Sequence, residues 1–111
     1  VVSYANEVKE NVLHVKQEIL LTDGAVSEAT VRQMITGVMA AMHTDYAVAT
    51  SGIMGPGGGT PDKPVGTVWI AAGSRNRIIA EKFHFRYDRE RNIEMAAIYA
   101  LNMLRKCILE E

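Results

Sequence analysis

Thr50-Ser51-Gly52-Ile53-Met54-Gly55-Pro56-Gly57-Gly58-Gly59-Thr60, read with the apolar run Tyr46-Ala47-Val48-Ala49 before it, constrains this chain more than any other stretch. Five of the nine glycines fall between residues 52 and 59. Glycine loses more conformational freedom on folding than any other residue. Such a cluster therefore needs positive φ angles or a close backbone approach to justify it. The apolar run closed by glycines predicts a buried strand that ends in a loop. Open α/β sheets bind ligands beyond the carboxyl ends of their strands, where this loop would lie. Composition alone leaves two readings, an irregular connection or a ligand cradle. The loop lacks the Gly-Lys-Ser/Thr ending of a nucleotide P-loop, and its Gly55-x-Gly57-Gly58-Gly59 spacing misses the dinucleotide fingerprint.

The flanking sequence predicts alternating helices and strands. Val1-Val2-Ser3-Tyr4 has β character and no initiating Met, which predicts an opening strand in a chain cut from something longer. Asn6 is the expected cap of a short helix with Val8, Val12 and Leu13 on its apolar face. Val15 to Leu21 fits a short helix or a buried turn, and Asp23-Gly24 breaks the chain. Ser27, followed by Glu28, caps the clearest helix. Its stripe is Val31, Met34, Ile35, Val38, Met39 and Met42, at spacings of three and four. Pro61 and Pro64 stiffen the end of the glycine loop. Val65 to Ala72 and Arg77 to Phe85 predict two strands, antiparallel because the connection Gly73-Ser74-Arg75-Asn76 is short. Asp88 caps a last helix with the stripe Ile93, Ala97, Ala100, Leu101, Leu104 and Ile108. The expectation is one α/β domain over residues 1–111, layered α/β/α around a mixed sheet with two long amphipathic helices.

Bulk properties exclude several classes. Twelve basic residues against thirteen acidic ones leave no electrostatic case for nucleic acid. No apolar run approaches the roughly eighteen residues a membrane span needs. The single Cys107 cannot form an internal disulfide and fits a reducing, cytoplasmic setting. Three scattered histidines offer no metal spacing, and surface or helix-end roles are the plain reading of His14, His43 and His84.

One pair carries potential chemistry. Tyr4 ends the first predicted strand and Lys9 lies on the following helix. A phenol beside a lysine can relay protons, and a desolvated lysine can act as general base for a serine nucleophile in place of histidine. Spacing alone equally allows two ordinary surface residues.

Four segments change that weighting: Tyr4-Ala5-Asn6-Glu7-Val8-Lys9, Gly24-Ala25-Val26-Ser27-Glu28, the run from Thr50 to Gly58, and Pro64-Val65-Gly66-Thr67-Val68. In this order they resemble the C-terminal domain of the competence/damage-inducible protein CinA, the family that includes nicotinamide mononucleotide deamidase. The resemblance spans essentially the whole chain. It implies hydrolysis of the carboxamide of nicotinamide mononucleotide to the nicotinate nucleotide and ammonia, without metal or redox cofactor. Tyr4 and Lys9 match the family's tyrosine and lysine, which assist a serine. Thr50, Ser51, Gly52, Gly55, Gly57, Gly58 and Gly59 match its substrate-side loop. Arg89, in Phe85-Arg86-Tyr87-Asp88-Arg89, matches an arginine expected near the substrate phosphate, and loop amides and guanidinium both suit such an anion.

The departures matter equally. The family's proposed nucleophile lies in an upstream Ala-Glu-Ser-Cys-Thr-Gly-Gly-like segment, and Ser3, Ser27, Ser51 and Ser74 do not match it. The expectation is a chain that binds a pyridine nucleotide, supplies everything except the serine, and is inactive alone. The missing or fused segment would add core, so self-association into a homo-oligomer is expected. Ile93, near a position where the family is basic, and Ser51 beside Thr50 are smaller departures. The alternative reading is a non-catalytic nucleotide-binding or protein-interaction domain.

Overall fold

The structure, a computed structural model, describes residues 1–110. Three helices precede the first strand: α1 (Asn6–Asn11), α2 (Gln17–Thr22) and α3 (Glu28–Met42). Strands β1 (Tyr46–Gly52), β2 (Thr67–Ser74) and β3 (Ile78–His84) follow, and α4 (Arg89–Leu109) closes the fold. The sheet order is β1-β2-β3 with both pairs antiparallel, Ala49 opposite Ala71 and Ala71 opposite Ala80.

Strand alternation sorts the core into two layers. Ala47, Ala49 and Ala71 face α3, where Val31, Met34, Ile35 and Met39 meet Leu13, Val15 and Leu20. Val68, Ile70 and Phe85 face the other way, onto Ala96 and Ala100 of α4. The α/β/α layering therefore holds. The sheet is antiparallel throughout the described residues, not mixed. Val1 to Tyr4 forms no strand, because among the described residues no strand pairs with it.

Helix starts follow local chemistry at two of the three predicted caps. Ser27 accepts from the Thr30 amide, and Asp88 accepts from the Arg91 amide at 2.8 Å. Asn6 is instead the first helical residue of α1, whose N-cap is Ala5 with no side-chain cap. His14 and His43 both adopt positive φ, 57° and 55°, in left-handed turns that end their segments. On α4 the buried positions are Asn92, Ala96, Ala100 and Cys107. The expected stripe shares only Ala100 with them; Ile93, Ala97, Leu101 and Ile108 lie exposed.

Candidate functional site

The end of β1 and the glycine loop form one wall of a cleft of about 740 Å³. Residues 1–4 and Lys9 form another, Met34 and Val38 of α3 lie in its lining, and Arg89, Ile93, Ala96 and Ala97 of α4 close it. The α4 residues recur at spacings of three and four, which is why one helix face supplies them all.

Lys9 is buried although it sits on a six-residue helix. Its ammonium donates to the Ser3 carbonyl oxygen, and no carboxylate pairs with it among the described residues. Burial without a counter-charge pushes its pKa below the ordinary lysine value of 10.5. Tyr4 lines the same cleft but is 86% exposed. The Lys9 ammonium thus engages backbone rather than the Tyr4 phenol.

The loop is stitched down on its carbonyl side. Ile53 extends the β1–β2 pairing, donating to Thr67 at 2.9 Å and accepting from Gly66. The next two carbonyls are held by α4: Met54 by Asn92 Nδ2 and Gly55 by Arg89 Nη1, each at 3.0 Å. Gly55 and Gly58 take φ of 91° and 92°, a region natural to glycine, and the Gly55–Pro56 peptide is cis. Further along, Lys63 Nζ donates to the Asp23 carbonyl at 2.5 Å. The amides of Gly55, Gly57 and Gly58 find no acceptor among the described residues, and all three glycines line the cleft. Unpaired backbone N–H groups on a concave wall suit an anion.

Thr50, Ser51 and Gly52 line the cleft as well. The Ser51 hydroxyl is tied to the Ala25 carbonyl at 2.8 Å, so it fastens β1 to the residues before α3. Gly59 is the exception among the expected site residues. It lies outside the cleft, and a Cβ there would come 2.7 Å from the Val65 backbone nitrogen, so its smallness serves packing. Asn92 was missed by sequence reasoning. The signal available was its position three residues after Arg89, on the same helix face.

A second depression, of about 370 Å³, lies between β3 and α4. Its rings pack on one another, Phe83 on Phe85 at 5.8 Å and Tyr99 edge-on to both, so its walls form a satisfied aromatic cluster. Among the described residues there is no grouping of His, Cys, Asp and Glu suited to a metal ion, and no helix long and apolar enough to cross a membrane.

Residues 1–108 match the model of the CinA C-terminal domain. A CinA-like protein of Thermosipho melanesiensis is 48% identical over 97% of this chain, and one of Shewanella piezotolerans is 46% identical over 99%. The chain spans about a quarter of the length of these relatives, 27% and 26%. Among solved structures, the competence damage-inducible protein A of Klebsiella pneumoniae superposes with a TM-score of 0.92 at 39% identity, covering 98% of this chain and 68% of that one. A competence/damage-inducible protein of Agrobacterium tumefaciens gives 0.93 at 37% identity, covering 96% of this chain and 66% of that one.

Proposed function

The chain belongs to the CinA C-terminal domain family, and from that premise we propose that it is the substrate-side part of an amidohydrolase for nicotinamide mononucleotide. In this reading a serine supplied from outside residues 1–111 attacks the carboxamide carbon. Lys9, in its neutral form, takes the serine proton. The proton then passes to the departing nitrogen, with Tyr4 at the cleft mouth as relay. Ammonia leaves, and water hydrolyses the acyl-serine to the nicotinate nucleotide. The amides of Gly55, Gly57 and Gly58, with Arg89, bind the phosphate, while Thr50, Ser51 and Gly52 line the substrate's approach.

The observation that carries this reading is the buried Lys9, with no carboxylate partner among the described residues, in the same cleft as those free amides. A buried lysine without a counter-charge costs stability, and functional sites are where groups with such shifted proton affinity collect. The test is ammonia release from nicotinamide mononucleotide by the full-length protein. Lys9→Ala is expected to lower kcat by about 100-fold or more, the usual weight of a general base. No release by the wild type would overturn the amidohydrolase reading; binding without release would favour a nucleotide-binding domain. Residues 1–111 alone are expected to show no turnover. Turnover above their own Lys9→Ala control would overturn the assignment of the serine to another segment.

A further inference from the structure

Asn92 is 0% exposed on α4, yet both ends of its amide are used. Nδ2 donates to the Met54 carbonyl at 3.0 Å, and Oδ1 accepts from the Tyr87 amide at 3.1 Å. One side chain thus joins the glycine loop to the segment that leads into α4 and Arg89. Asparagine is a poor helix former, so helix propensity alone does not explain it there. Neither backbone group has another partner among the described residues.

A peptide unit has its carbonyl and the following amide on opposite sides, so holding one aims the other. Asn92 holds the Met54 carbonyl against α4, and the amide of that same peptide belongs to Gly55, which lines the cleft without an acceptor. We propose that Asn92 is a positioning residue that turns the Gly55 amide of the glycine loop toward a phosphate-bearing ligand. The inference rests on the proposed nucleotide substrate for its ligand but not for its geometry. The role needs a donor and an acceptor together. A carboxylate of the same shape keeps the Tyr87 contact but sets an oxygen against the Met54 carbonyl, and this drives the peptide to turn.

The experiment compares nicotinamide mononucleotide with nicotinamide riboside, which lacks the phosphate, by calorimetric titration of the full-length protein. For Asn92→Asp, preference for the phosphorylated ligand is expected to fall about ten-fold or more, the scale of an unsatisfied buried hydrogen bond, while riboside affinity stays within about two-fold. Asn92→Gln, which keeps both groups, is expected to retain most of the preference. A merely structural role would weaken both ligands together and would overturn the proposal, as would an Asp variant that keeps the wild-type preference. If the wild type itself shows no preference for the phosphorylated ligand, the proposed substrate fails instead. The unliganded crystal structure of Asn92→Asp then decides: a turned Met54–Gly55 peptide supports the inference, and an unchanged one overturns it. Should Asn92→Asp not fold, Asn92→Ser, which removes the reach without adding charge, is judged by the same measurements.

Discussion

Arg89 Nη1 donates to the Gly55 carbonyl oxygen at 3.0 Å, so the first turn of α4 grips the glycine loop at the residue where the backbone enters positive φ. A guanidinium offers five donors in a planar fork, and this contact leaves the rest of the fork without an acceptor among the described residues. The same side chain can therefore hold the loop and meet an anion. Arg89→Lys keeps one charge but supplies no fork. It is expected to raise the Kd for nicotinamide mononucleotide about ten-fold, and Arg89→Ala further, to about 100-fold, on the scale of lost charge-assisted hydrogen bonds. Because Arg89 is exposed, unfolding midpoints should change little. Equal affinity in the lysine variant would show that charge alone suffices.

Lys9 makes a prediction in pH with a definite sign. Its folded pKa lies below the unfolded value near 10.5 because burial disfavours the ammonium. Below the folded pKa both states carry the proton, and the burial penalty is present in full. As pH rises from the folded pKa toward 10.5, the unfolded state holds more protons than the folded one, so stability rises with pH in that window. Under the proposed function, activity should rise over the same lower limb, as the proposed general base becomes neutral. Lys9→Met removes the penalty and should hold or raise stability at pH 7 while abolishing ammonia release. Urea unfolding at several pH values, beside a pH–rate profile, checks both. A rate limb unchanged in position when Lys9 is replaced by arginine would exclude it as the base.

Ser27 shows how one hydroxyl sets both a helix and the cleft wall before it. It accepts from the Thr30 amide at 3.3 Å and donates to the Gly24 carbonyl at 2.8 Å, closing the turn that carries Ala25 and Val26 into the cleft lining. Ser27→Ala is expected to cost about 1–2 kcal/mol, and Ser27→Thr much less. Urea midpoints with an unchanged m-value would check this.

The parts of the fold legible in the sequence were those in which one strong local signal had no competitor. Ser27 and Asp88 lead their helices, and a short connection joins two antiparallel strands, although Gly73 and Ser74 extend β2 and leave the turn to residues 75–77. On α4 the apolar count pointed to the face of Ile93, Ala97 and Leu101, whereas the fold buries Asn92, Ala96, Ala100 and Cys107. The buried face carries a polar residue near one end and small residues between, so hydrophobicity could not mark it. What decides is the demand of two backbone groups for the Asn92 amide, and that exists only once the loop and helix meet. Lys9, the loop and Arg89 line one cleft; the bond Lys9 makes there left no mark in the sequence, because Ser3 offers only its backbone.

Two glycines should respond to alanine in opposite ways, against what local propensity predicts. Gly37 lies inside α3, where alanine normally favours the helix by about 1 kcal/mol. A Cβ there would fall 1.8 Å from the Leu13 carbonyl oxygen, so α3 and the chain after α1 touch through backbone that cannot swing aside. Gly37→Ala is therefore expected to destabilise by about 3 kcal/mol, the upper range for overpacking. Gly57 lies in the loop with open space where its Cβ would be. Restricting the unfolded chain there should leave stability unchanged or raise it by up to about 1 kcal/mol. Urea unfolding of the two variants side by side is the measurement. A stabilised Gly37→Ala protein would mean that α3 and the Leu13 segment do not meet backbone to backbone.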